Sequence, residues 1–128
     1  MSDTAVITPI WFGSPEVPVA GWLHSAAAPG RALSVVVCGP PLGWGHIFPF
    51  ATQRLCGAGS AVLLVNHRAS TGYGDAFATA IKAAWGTLDY TDLMAGVDDG
   101  IAKGLVDGDR LGVCGRSGGG NLSCWIVG

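Results

Sequence analysis

Residues 111–120 read Leu-Gly-Val-Cys-Gly-Arg-Ser-Gly-Gly-Gly, and within them Gly115, Ser117 and Gly119 keep G-x-S-x-G spacing. An apolar run precedes the motif and a helix-like stretch, "NLSCWIVG", follows it. A serine on a sharp strand-to-helix turn has its hydroxyl lifted clear of a sheet edge, where it can attack a carbonyl carbon. The backbone of such a turn is strained, so small residues must flank the serine; Gly115 and Gly119 do. The N–H of Gly118 then faces the place where an oxyanion forms, at the start of a helix whose dipole favours negative charge. Ser117 is thus the candidate nucleophile, Gly118 a candidate oxyanion donor, and Gly115 and Gly119 the elbow.

The plain alternative is a glycine-rich turn that binds phosphate or nothing. No lysine follows the glycines, so a P-loop fails. No G-x-G-x-x-G occurs either; in "GYGDAF" Phe77 takes the place of the last glycine.

A nucleophile on a turn needs a sheet to hold it. Ile7 to Phe12 and Val17 to Leu23 read as two short strands around a Ser-Pro turn. Leu33 to Cys38 is a continuous β-branched run stopped by Gly39, Pro40 and Pro41, the pattern of a strand buried on both faces. Phe50 to Cys56 reads as a short helix ended by Gly57 and Gly59. "SAVLLVN" is a second buried strand, and "HRASTGYGD" a loop. Ala76 to Trp85 reads as helical. The clearest helix is "LDYTDLMAGVDDGIAKGL", with Leu93, Val97 and Ile101 in a stripe that Met94 and Ala102 widen. Asp89 can cap its start, and Asp92 suits the dipole of its first turn. Gly96 and Gly100 weaken it by roughly 1 kcal/mol each. "LGVC" is a third buried strand. After the opening hairpin, strands and helices alternate, which predicts an α/β fold with a mostly parallel sheet.

The bulk numbers agree with one folded domain. The 128 residues are 49% hydrophobic and only 12% charged, which excludes a disordered chain. Seven basic and nine acidic residues give a net charge of −2, with no basic block, so no nucleic-acid partner is expected. Cys38, Cys56, Cys114 and Cys124 match neither a zinc site nor a CxxC pair. Cys114 and Cys124 lie in apolar runs and read as buried free thiols. No signal-peptide pattern and no membrane-length apolar stretch is visible, so a cytoplasmic setting without membrane attachment is expected.

The chain also shows Asn66, Arg68, Ser70, Thr71, Gly72, Tyr73 and Gly74. Asp89, Asp92, Gly96, Val97 and Asp98 follow, then Asp107, Arg110, Val113, Gly115, Ser117, Gly119 and Gly120. In that order they resemble the runs N-P-R-G-S-T-G-Y-G, D-x-x-D-x-x-x-G-V-D and D-x-x-R-x-x-V-x-G-G-S-x-G-G of the prolyl oligopeptidase family of serine peptidases. The similarity is to its acylaminoacyl-peptidase and dipeptidyl-aminopeptidase branch. "IWFGSPEVPVAGWL" resembles the hairpin that enters that family's catalytic domain.

The resemblance implies an α/β-hydrolase fold and acyl transfer to Ser117, with a histidine as base and an acidic residue orienting it. It implies a peptide or acyl-peptide substrate and no metal or organic cofactor. The loop that reads H-G-G-P in this branch is Cys38-Gly39-Pro40-Pro41 or Val37-Cys38-Gly39-Pro40 here. The second oxyanion donor is then the N–H of Cys38 or of Gly39, since Pro40 and Pro41 have none. His67 and Ala69 stand where the family has proline and glycine, and Gly118 where it has a larger residue.

In this fold the triad runs serine, acid, histidine along the chain. No acidic residue or histidine follows Ser117. His24, His46 and His67 precede it and read as surface or loop histidines. Asp98, Asp99, Asp107 and Asp109 read as surface or capping residues. The expectation is a partial peptidase domain, truncated after the elbow and the start of its helix. It would lack a propeller and the half that carries the acid and the histidine, and would be inactive alone. Such a chain would seek a complementary half or associate through its open sheet edge. A non-catalytic interaction module, or a carboxylesterase or lipase of the same fold, are the other readings.

Overall fold

The computed structural model describes residues 6–14, 17–25, 35–38 and 50–128. Five strands form one sheet in the order β1-β2-β4-β3-β5: β1 Val6–Ser14, β2 Val17–Ser25, β3 Val35–Cys38, β4 Ala61–Asn66 and β5 Leu111–Val113. The helices are α1 Phe50–Gly57, α2 Asp75–Ala78, α3 Leu88–Ala102 and α4 Gly118–Val127. Strands and helices alternate after the hairpin, as the sequence pattern predicts. The sheet is mixed, however. β1–β2 and β2–β4 pair antiparallel, while β4–β3 and β3–β5 pair parallel. The hairpin joins the same sheet, so the parallel part is confined to three strands.

β4 shows why a continuous apolar run marks a central strand. All six of its residues are buried. Ala61, Leu63 and Val65 face one core with Leu93 and Val97 of α3, while Val62 and Leu64 face the other with Cys56 of α1. Successive side chains point to opposite faces, so a strand covered on both sides must be apolar throughout.

α3 lies on the sheet by part of the predicted stripe, Leu93 and Val97, but the buried face is rotated away from Ile101 and Ala102. Its buried residues are Asp89, Asp92, Leu93, Gly96, Val97 and Gly100. Ile101 is 38% exposed, and Ala102 is exposed too. The glycines explain the rotation. A Cβ on Gly96 would lie 2.8 Å from Phe12 Cζ and 3.1 Å from Val65 Cγ2, and one on Gly100 2.8 Å from Val106 Cγ2. Close approach of the helix to the sheet at Gly96, and to the turn residue Val106 at Gly100, offsets what these glycines cost in helix propensity.

Two further expectations change. The helix expected over Ala76 to Trp85 is a single turn, Asp75–Ala78, followed by turns through which Ile81 is buried. Thr79 Oγ1 donates to Asp75 O at 2.7 Å, and Ala83 takes a positive φ of 59°, so the chain bends instead of continuing. "LGVC" forms a strand, but not a buried one: among the described residues β5 ends the sheet with only β3 beside it, and Leu111 is 47% exposed. For the same reason Cys114 and Cys124, expected to be buried, are exposed, whereas Cys56 is buried. Burial pushes the Cys56 thiol above its usual range, with a backbone hydrogen bond from Val62 opposing it. Among the described residues no helix is long and apolar enough to cross a membrane.

Candidate active site

β5 is short because the chain must turn at once. It ends at Val113, and α4 begins at Gly118. Between them Ser117 has φ 57° and ψ −120°, a backbone conformation that side-chain-bearing residues rarely adopt. Gly115 makes the turn possible. A Cβ there would lie 2.8 Å from Gly119 Cα and closer still to the Gly119 carbonyl carbon and oxygen. Gly119 is buried beneath it, and Gly120 leaves 3.4 Å between its own Cβ position and Gly115 O. The elbow therefore requires glycine at 115 for space and strains the backbone at 117.

Two hydrogen bonds fix it: Gly119 N–H donates to Arg116 O, and Asn121 N–H to Ser117 O, each at 3.0 Å. Ser123 Oγ donates to Gly119 O at 2.7 Å and ties the first turn of α4. Ser117 itself is exposed. Gly118 is the first residue of α4, so its N–H has no acceptor within the helix and is available to an anion beside the serine. The arrangement suits attack by a hydroxyl and stabilisation of the oxygen that becomes negative.

Of the second oxyanion candidates, Cys38 closes β3. That strand pairs with β5 up to Val37–Val113, so its end lies beside the elbow. Gly39 lies outside the described residues, as does His46. His24 and His67, expected at the surface or in loops, are both buried. His24 sits within β2 and pairs in register with Ile7 and Val62. His67 does follow β4, but its Nδ1 donates to Arg68 O at 2.7 Å. Neither is free to serve Ser117 as a base from these positions.

The acidic residues are accounted for elsewhere. Asp98 is exposed, and Asp99 pairs with Lys103 at 2.6 Å. Asp107 accepts from Asp109 N–H at 3.0 Å and from Arg110 Nε at 2.9 Å, which together hold its carboxyl below the usual carboxylate range. These are surface and turn roles, as predicted. Asp89, expected to cap α3, lies inside the helix instead, with Thr87 at the N-cap position; its buried carboxylate accepts Gly86 N–H at 3.2 Å and Tyr90 N–H at 3.0 Å. Among the described residues no three His, Cys, Asp or Glu side chains converge on a possible metal position.

The sequence reading missed one pair. Asp92 does not serve the helix dipole. It is buried and takes Arg68 in a two-pronged ion pair, Nη2 to Oδ1 at 2.7 Å and Nε to Oδ2 at 3.0 Å. That hydrogen bond raises the guanidinium pKa further. The signal was the spacing: Asp89, Asp92, Leu93 and Gly96 fall three, four and seven apart, on one helix face. Two acids on the face that meets the sheet demand buried partners.

A model of the prolyl oligopeptidase family matches residues 46–128. The chain is 38% identical over 118 residues to the uncharacterized peptidase YuxL of Bacillus subtilis, an alignment covering 88% of this chain and 18% of that protein. The structure superposes on Pyrococcus horikoshii acylaminoacyl peptidase with a TM-score of 0.86 at 25% identity, covering 95% of this chain and 21% of that one. It superposes equally, with a TM-score of 0.86 at 26% identity, on an acylaminoacyl peptidase in complex with Z-Gly-Gly-Phe-chloromethyl ketone, covering 96% and 21%. The chain thus spans about a fifth of the length of these relatives, and its sheet and helices match part of the α/β-hydrolase fold of the two solved peptidases. The glycine-flanked elbow, the strand order around it and these matches lead to one conclusion: the chain belongs to the prolyl oligopeptidase family.

Proposed function

We propose that this chain is the nucleophile-bearing part of a serine peptidase. Ser117 attacks the carbonyl of a peptide or acyl-peptide bond, its proton leaves to a histidine, and an acyl-enzyme forms that water later hydrolyses. Gly118 N–H, with Cys38 or Gly39 N–H, holds the oxyanion. The observation that carries this reading is the strained Ser117 backbone on a turn that only glycine at 115 allows. Strain of this kind needs a reason, and presenting a hydroxyl at the head of a helix is one. The similar acylaminoacyl peptidase solved with a peptide chloromethyl ketone supports a peptide as substrate.

His24 and His67 are committed elsewhere, and no acidic residue or histidine follows Ser117, which favours an acid and a base from residues outside these 128. Alone, the chain has little or no turnover. The open edge of β5 favours the same view. Beside it Leu93, Val97, Leu111, Val113 and Ile126 line an apolar groove of about 250 Å³. An edge of this kind takes a further strand, from a complementary half or from a second copy. The test compares the 128-residue chain with the longest product of the gene that contains it, on N-acylated peptides and on simple esters. The longer product should cleave the peptides and lose that activity in Ser117→Ala. Hydrolysis of esters alone would favour an esterase, and an inert longer product a binding module.

A further inference from the structure

The loop after β4 is tied to α3 through one carboxylate. Asp92 accepts from the Arg68 backbone N–H at 2.8 Å as well as from Nε at 3.0 Å and Nη2 at 2.7 Å. A planar guanidinium on a planar carboxylate fixes angle as well as distance, and the backbone bond fixes the chain itself. The loop is then laced internally. Ala69 N–H donates to Phe77 O and Ser70 N–H to His67 O, each at 2.9 Å, and Asn66 Nδ2 donates to the Tyr73 hydroxyl at 2.7 Å. Within it Ala69 holds φ 97°, a conformation that persists only where surroundings over-determine it.

What the loop presents lies on the edge that bears Ser117. β4 and β5 run parallel on either side of β3, so the loop and the elbow leave the same end of the sheet, roughly 10 Å apart. β2 runs antiparallel to β4 and begins at that end. Val17 and Pro18 at its start, with Arg68, Tyr73 and Phe77 from the loop and α2, enclose a cleft of about 400 Å³. The rings of Tyr73 and Phe77 lie 4.9 Å apart and form its aromatic wall.

We infer that Arg68 and Asp92 are positioning residues for a peptide-binding wall beside Ser117. The carboxylate on α3 sets the guanidinium, the guanidinium sets the loop, and the loop sets Tyr73 and Phe77. By strand spacing the cleft, between the β4 loop and the start of β2, lies roughly 10–15 Å from the elbow, and an extended peptide rises roughly 3.3 Å per residue, so the wall meets a side chain about three to four residues from the bond under attack. This deepens the peptidase reading and rests on it.

The experiment uses the longest product of the gene, with Asp92→Asn and the milder Arg68→Lys. Amide hydrogen exchange at residues 68–77 should quicken in both, with β4 unaffected. KM for a peptide of four or five residues should rise about tenfold more than KM for a single-residue ester, which does not reach the cleft. Unchanged exchange in the loop overturns the inference alone, as do equal effects on the two substrates. A wild-type protein inert toward both substrates overturns the peptidase reading and this inference with it.

Discussion

Gly115 and Gly119 meet backbone to backbone. A Cβ on Gly115 would lie 2.8 Å from Gly119 Cα and nearer still to its carbonyl group. No flexible side chain is present there to yield, so the turn opens or the substitution is refused. Gly115→Ala should therefore destabilise the fold by about 3 kcal/mol or more and remove any reactivity of Ser117. Urea unfolding gives the first quantity. Stability within about 0.5 kcal/mol of wild type would show that the turn is looser than described.

The strained loop gives a prediction of opposite sign. Ala69 carries φ 97°, where glycine has no steric penalty. Ala69→Gly should stabilise the protein by about 1 kcal/mol, even though glycine adds entropy to the unfolded chain. A lower midpoint in the same urea experiment would contradict it.

Two helix glycines should answer differently to alanine. At Gly100 a Cβ would press on Val106 Cγ2 at 2.8 Å, and Val106 is buried and stiff at χ1. Gly100→Ala should lose about 1 kcal/mol net, despite the better helix propensity of alanine. At Gly57, which ends α1, nothing lies within 4 Å of a Cβ. Gly57→Ala should leave stability unchanged or raise it by about 0.5 kcal/mol. Thermal unfolding of the two variants checks the contrast, and equal effects would contradict the close packing of α3.

Asp107 supplies a pH dependence. Its carboxyl is held low by the Asp109 N–H and then by Arg110, so the charged form is favoured in the folded state. The stabilisation is present above the ordinary carboxylate pKa of about 4 and fades as pH falls through the lower folded value. Asp107→Asn should lower stability at neutral pH, and the difference should vanish in acid. The group lies in the open, so the effect is small and weakens with salt. A difference that grows toward low pH would reverse the assignment.

Much of this fold was legible in the residues. The run Ala61 to Asn66 announced a central strand, because a strand covered on both faces admits no alternation. The elbow was legible because Gly115, Ser117 and Gly119 stand where sterics demand them. The face of α3 was legible only in Leu93 and Val97, since glycine gives no hydrophobic signal although Gly96 approaches Phe12 and Val65 of the sheet and Gly100 approaches Val106 of the following turn. The Arg68–Asp92 pair was not legible. Its partners are 24 residues apart, so although spacing puts Asp92 on the face of Leu93 and Gly96, only the fold shows which cation meets it. The exposure of β5 and of Cys114 depends on what stands beside a terminal strand, which local sequence does not encode.

The most direct measurement is the site of a fluorophosphonate adduct, mapped by mass spectrometry on the longest gene product that contains these residues. A single adduct on Ser117, absent in Ser117→Ala and much slower in the 128-residue chain, is the predicted result. No adduct, or one on another residue, would contradict the assignment of Ser117 as nucleophile. Rapid stoichiometric labelling of the 128-residue chain would contradict the claim that its acid and base lie elsewhere.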